Sequence, residues 1–238
     1  MKKIILKEAD IKKLKPIVDF NRGSYGSCYD YDGKVLKVFK KNIDTHMLAN
    51  IKKNIKRENE FIMYPIDLIK IKERESAING YICNKAPGVD LNDLDTLICD
   101  GKTDITFDDF LAAYYDRFLP SIKKEKLLFS DIKPRHIFYD DNFYLIDTDF
   151  YITKFPYLSN KRKDEKNLII INESIRIFMN YFLTFGLVFD IDDIHSEKYL
   201  DNKISILRKI VGNDINTFGK LDNYIFTDDK IESIGCKI

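Results

Sequence analysis

Two carboxylates, Asp131 and Asp147, and an ammonium, Lys133, fall within one stretch, Leu128–Tyr151, LFSDIKPRHIFYDDNFYLIDTDFY. Each Asp sits at the edge of an apolar run, with His136 between them. On either side of Asp141-Asn142, HIFYD and FYLID alternate apolar and polar residues, the pattern of a β-hairpin around a tight turn. A short hairpin returns the chain to its starting end, so the two carboxylates are expected together. That grouping suits a particular chemistry. One carboxylate takes a proton from a hydroxyl while the other acid and the ammonium manage a metal-bound polyphosphate.

The elements that must position these groups lie upstream. Residues 16–40 read as three short strands: PIVDF, then SCYDYD and KVLKVFK across a turn at Asp32-Gly33. Between the first two, Gly23 and Gly26 would let backbone N–H groups approach phosphate oxygens with no Cβ in the way. Lys37 interrupts an apolar alternation, so its side chain either reaches water or meets an anion. From Asp44-Thr45, which read as caps, to about Tyr64 the chain is expected to be helical, with Leu48, Ile51, Ile55 and Ile62 on one stripe. Glu58 falls on that stripe. A carboxylate facing a core wants a cation, and Lys37 is the candidate. Strands over 65–71 and 80–83 follow, then Asn84–Leu91 (NKAPGVDL) breaks regular structure. Thr106-Phe107-Asp108-Asp109 opens a helix expected to run past Tyr115 toward Leu119, with Pro120 as a kink or stop.

Taken in order, these residues resemble the protein kinase superfamily across 20–150. Asp131-Ile132-Lys133 and Leu145-Ile146-Asp147 are similar to the catalytic loop H-R-D-x-K-x-x-N and the metal-binding Asp of D-F-G. Phe129 and Ser130 stand at the His and Arg, His136 at the Asn, and Thr148-Asp149 at the Phe and Gly. Gly23 and Gly26 match the last two glycines of the phosphate-covering loop, Asn21 stands at the first, and Cys28 takes the Val position. Val35-Leu36-Lys37 resembles the strand that carries the phosphate-binding Lys, and Lys37 with Glu58 reproduces the family's Lys–Glu pair. The resemblance implies a hinge at Asn84–Ala86, whose backbone would bond an adenine edge. It also implies Asp90 facing a ribose hydroxyl and Cys83 at the back of the pocket.

The fold so implied is α+β and two-lobed: an N-lobe over 1–86, built on a small antiparallel sheet with one helix, and a mainly helical C-lobe over 87–238. The function implied is ATP-dependent phosphotransfer, with a protein serine or threonine as the first expectation for the acceptor and Mg²⁺ or Mn²⁺ as the metal. Asp131 would be the base, Lys133 would stabilise the transferring phosphoryl group, and Asp147 with His136 would hold metal. Because Mg²⁺ prefers hard oxygen donors, His136 is expected to favour Mn²⁺ or to leave one metal position empty. Small-molecule kinases of the aminoglycoside and choline type, and a nucleotide-binding pseudokinase, are the alternatives. Lys133 leans toward protein acceptors, and the absence of Arg before Asp131 argues against control by a phosphorylated activation loop.

Bulk properties agree with a soluble cytoplasmic protein. A net charge of +1 provides no field to gather nucleic acid or an acidic membrane. No run of apolar residues is long enough to span a bilayer. The cysteines (28, 83, 99, 236) form no CxxC pair and read as reduced thiols. Beyond Asp147, residues 151–166 read as irregular, where an activation loop would lie, and no A-P-E appears. Asn167–Phe185 is the most apolar helical candidate, and about two more helices are expected after it. His195 reads as a surface residue.

Overall fold

The structure, a computed structural model, describes residues 3–17, 25–55, 57–150, 157–181 and 193–225. The chain is mixed α and β and forms two compact units: Met1–Ala86 with Leu145–Tyr151, and Pro87–Tyr144 with Ile152–Ile238. Among the described residues no helix is long and apolar enough to cross a membrane.

The first unit is built on a five-stranded sheet of order β1-β4-β5-β3-β2. Its strands are β1 (Lys3–Leu6), β2 (Gly26–Tyr31), β3 (Lys34–Phe39), β4 (Pro65–Ile71) and β5 (Gly80–Asn84). The β2–β3 hairpin turns at Asp32-Gly33, where both residues adopt positive φ, as a tight two-residue turn requires. The sheet is not purely antiparallel as expected, because β1 runs parallel to β4 from Lys3↔Leu68 to Leu6↔Ile71. Four residues flanked by lysines carry too little periodicity to announce that strand. Of the expected strand at 16–20, Pro16 forms a single bridge to Tyr29, and residues 18–20 lie outside the described set.

Alternation along β3 divides the two faces. Leu36 and Val38 pack with Ile69, Ile71, Ile82 and Ile11, the last on the short helix α1 (Glu8–Ile11). Phe39 packs on the other face with Met47 and Ile51 of helix α2 and with Leu68, Ile78, Tyr81 and Cys83. Helix α2 spans Thr45–Asn54, with the Asp44 carboxylate accepting from the Met47 N–H at 2.7 Å as its N-cap. It stops ten residues short of the expected end at Tyr64. Asn54 is fully buried, its amide reaching the Thr148 carbonyl at 3.4 Å, and Asn59 accepts from the Phe61 N–H at 2.9 Å. The Asn59 amide bonds backbone locally, and such short amides compete with helix propagation.

Leu145–Tyr151 joins this unit through backbone pairing. Leu145 N–H donates to the Phe61 carbonyl and Met63 N–H to the Leu145 carbonyl, both at 2.8 Å. A 3₁₀ turn over Thr148–Phe150 then packs against α2.

The second unit begins with β6 (Val89–Asp90), which pairs antiparallel with β7 (Ile137–Tyr139) in a sheet of order β6-β7-β8, β8 being Phe143–Leu145. The β7–β8 hairpin forms where the alternation placed it, with Asp141 at φ +54° in the turn. Gly88 enters β6 at φ +72°, and a Cβ there would lie 1.9 Å from the Tyr139 carbonyl oxygen, so only glycine permits this pairing.

Helix α3 (Leu91–Cys99) follows, then α4 (Phe107–Ala112), a π-helical segment Ala113–Phe118, and α5 (Leu119–Glu125). Pro120 therefore does not end the helix. The widened turn before it, with Leu119 N–H reaching the Tyr114 carbonyl, is the adjustment that lets a proline lacking N–H sit in a continuing helix. Helix α6 covers Asn160–Tyr181, starting inside the segment expected to be irregular, and α7 (Tyr199–Val211) and α8 (Phe218–Ile225) complete the described elements.

The core of this unit is aromatic. The Phe110 ring lies 4.8–5.7 Å from the rings of Tyr139, Phe143, Phe178 and Phe218, at edge-on, tilted and stacked angles. Phe110→Ala should lower unfolding stability by about 3–5 kcal/mol in urea titration, the range for emptying a buried aromatic site.

Candidate functional site

Lys37 is the most constrained charged residue of the first unit. It lies mid-strand in β3, opposite Cys28 of β2 and Tyr81 of β5, and only 8% of its surface is exposed. Its ammonium is ion-paired to the Asp147 carboxylate and lies 2.5 Å from Asp149 Oδ2. It also sits 5.8 Å from the centre of the Tyr81 ring. The two acids differ in access: the Asp149 side chain is wholly buried, whereas that of Asp147 is 25% exposed.

Asp147 adopts φ +61°, a left-handed conformation that a non-glycine residue seldom takes without a turn or a function to require it. Gly26 closes this neighbourhood. A Cβ added there would come within 3.0 Å of the Val38 carbonyl and 3.2 Å of the Lys37 side chain.

Burial alone would pull Lys37 down, but the charges of Asp149 and then Asp147, with a hydrogen bond to Asp147, hold it well above the ordinary lysine value. Burial pushes Asp149 up despite the opposing effect of Lys37. Tyr81 is raised, first by burial and then by the Asp149 charge. Burial raises the Cys28 thiol to about 11, so it is protonated near neutrality.

In the second unit Asp131 is also left-handed, at φ +65°. Lys133 Nζ lies 2.6 Å from its Oδ1, and both side chains are near half exposure. The backbone around Asp131 is held from two sides. The His136 ring is buried with Nδ1 2.7 Å from the Asp131 carbonyl oxygen, and Arg135 Nε donates toward its Nε2 at 3.3 Å. That network assigns a neutral ring carrying its proton on Nδ1. From α6, Asn167 accepts from Phe129 N–H at 2.8 Å and donates to the Leu127 carbonyl at 2.7 Å, while Ser174 Oγ reaches the Ile132 carbonyl at 3.4 Å. Asn167 thus clamps the segment entering Asp131 through both ends of one amide.

The sequence-derived residues are distributed as follows. Lys37 and Asp147 are brought together, with Gly26 against Lys37. Asp131, Lys133 and His136 share one loop. Glu58 is not brought to Lys37: it is exposed and lies beyond the end of α2, and the cation it was expected to neutralise is taken by Asp147 and Asp149. Asn84 ends β5 exposed, and Ala86 is buried. Asp90 serves as the N-cap of α3, its Oδ1 accepting from Asn92 and Asp93 N–H at 2.9 and 3.2 Å. Gly23 and Asn21 lie outside the described residues.

Sequence reasoning missed Asp149, Asn167 and Ser174. Asp149 had a signal, an acid two residues past Asp147. Asn167, a lone amide at the start of an apolar run, had almost none.

As a metal site, the hard oxygens of Asp147 fit Mg²⁺, which commonly takes one or two carboxylates and completes its shell with water and phosphate. Among the described residues no three His, Cys, Asp or Glu side chains converge as a protein-only metal cage. His136 would have to give up one of its two bonds to serve as a ligand. The chain matches no protein-family model and no curated protein.

Two outcomes follow. Lys37 should keep its ammonium proton at pH 11, where an ordinary lysine is mostly neutral, in side-chain nitrogen NMR. Its raised value means that the stability from this cluster is fully present below the ordinary lysine pKa of about 10.4 and is lost only as pH climbs through the folded value. Asn167→Ala removes two buried partners and should cost about 2–4 kcal/mol of stability in urea titration.

Proposed function

We propose that this chain is an ATP-dependent phosphotransferase of two-lobed, protein-kinase-like fold, with a protein serine or threonine hydroxyl as acceptor. The observation that carries the reading is the buried Lys37 ammonium held against Asp147, an acid that is both partly exposed and left-handed. A buried lysine is costly to a fold unless its charge is used or fully paired. Here one of its two partners, Asp147, is partly exposed.

In this reading Lys37 binds the phosphate oxygens of ATP as a fixed positive charge, and Gly26 keeps the strand backbone close beside it. Asp147 holds Mg²⁺, which when bound neutralises charge on the phosphates. With both acids ionised, Lys37, Asp147 and Asp149 sum to one negative charge, and the residues alone repel a bare polyphosphate.

Asp131 accepts the proton of the acceptor hydroxyl, its backbone fixed by His136 and by the Asn167 clamp on the residues before it. Among the described residues Lys133 is the ion partner of its carboxylate, and its exposure suits a group that must meet a substrate. Lys133 supplies positive charge where the transferring phosphoryl group develops negative charge. With the ring nitrogens of His136 committed to Asp131 and Arg135, Asp147 is the residue that binds metal.

ADP release by purified protein, with ATP, Mg²⁺ and mixed protein acceptors, tests the reading against Asp131→Asn. Loss of a general base should lower turnover by about 10²–10⁴-fold. Turnover unchanged in Asp131→Asn would remove Asp131 from the chemistry. Transfer to aminoglycosides or choline, and not to protein, would move the acceptor to the small-molecule class. Nucleotide binding without any turnover would make the protein a pseudokinase.

A further inference from the structure

The two acids on Lys37 are not equivalent, and the difference assigns them separate tasks. We infer that Asp149 is the permanent positioning carboxylate of Lys37, in the place that Glu58 would otherwise fill, and that Asp147 is the exchangeable partner released to the metal-bound nucleotide. This rests on the phosphotransferase reading for the role of the nucleotide, but the anchoring of Lys37 by Asp149 stands on geometry alone.

Four observations converge. Asp149 is wholly buried, with its Oδ2 2.5 Å from the ammonium, so no solvent-borne cation can compete for it without unfolding the turn. The 3₁₀ turn that carries it is fixed at both faces of Thr148, whose carbonyl accepts from Asn54 at 3.4 Å and whose hydroxyl reaches the Met63 carbonyl at 3.5 Å. Asn54 is the last residue of α2, so the helix expected to present Glu58 instead presents an amide that holds the Asp149 turn. Asp147, two residues earlier, is the partly exposed member, its side chain 25% accessible, and it adopts φ +61°.

The consequence is a division of labour. When metal and phosphate arrive, Asp147 can leave the ammonium without stranding it, because Asp149 still neutralises it. A lysine with a single exchangeable partner would be left as an uncompensated buried charge at that moment, which is strongly unfavourable.

The test uses the full chain with two readouts. The first is the slowed hydrogen exchange of the Lys37 ammonium by NMR, which needs no nucleotide. Asp149→Asn should abolish it, and Glu58→Gln should leave it intact. The second is Mg-ADP titrated calorimetrically and scaled to the folded fraction. Asp149→Asn should weaken binding at least ten-fold, while Glu58→Gln should stay within two-fold of wild type. A merely structural Asp149 would lower stability and leave both values per folded molecule unchanged, which would overturn the assignment. So would a ten-fold loss in Glu58→Gln, a variant on an exposed side chain that folds whatever Asp149 does. If the wild type binds no Mg-ADP, the phosphotransferase reading and the exchange role of Asp147 fall together. The exchange readout still decides the anchoring.

Discussion

A charged lysine in the middle of a buried strand is the constraint around which the first unit is arranged. Removing an ammonium from water costs several kcal/mol even after relaxation, so the fold must bring anions to it. Lys37 points to the face that α2 covers, and the anions come from far along the sequence, at Asp147 and Asp149. To deliver them, Leu145–Tyr151 is paired backbone to backbone with Phe61 and Met63 and locked against Asn54. The early end of α2, the buried amide at its last residue and the return of a distant segment are thus parts of one solution. Against an apolar cluster of the same volume the ion pair brings little net stability, whereas losing one partner would strand a buried charge.

The second unit solves a different problem, that of holding an exposed acid in a fixed place. In the proposed function Asp131 needs solvent access to meet a substrate, and its carboxylate is about half exposed rather than packed. Instead the backbone is held: His136 bonds the Asp131 carbonyl, Asn167 takes both a donor and an acceptor just upstream, and Ser174 touches the carbonyl just downstream. The supports from Asn167 and Ser174 are rooted in α6, whose other residues include Phe178 of the aromatic core. Part of the rigidity at an exposed side chain thus comes from hydrogen bonds between its backbone segment and the buried face of a helix.

Local patterns made much of this legible beforehand. Alternation with Asp32-Gly33 and Asp141-Asn142 located both hairpins, and Asp44 and Thr106 marked true helix caps. Lys37, Asp131 and Asp147 stood out because a charge inside or beside an apolar run demands an explanation. What failed depended on partners distant in sequence. Helical periodicity extended α2 to Glu58, since nothing local reveals that Asn54 bonds the carbonyl of Thr148. Pro120 was expected as a kink or a stop; the helix continues through it, because the π-helical turn that accommodates it has no sequence signature. The parallel strand β1 was too short to show a period, and Asn167 looked like one polar residue at a helix start. Pairing of Lys37 was anticipated, but with the nearest acid of suitable phase rather than with two acids over a hundred residues away.

The central claim is that the Lys37 cluster is a phosphate site that works only with a divalent cation, and equilibrium binding of ADP to the wild-type protein tests it most directly. Titrated with and without Mg²⁺, ADP should bind only in the presence of the metal, and Lys37→Met should lose that binding at least ten-fold. ADP binding that is equally tight without Mg²⁺, or that survives intact in Lys37→Met, would contradict the account.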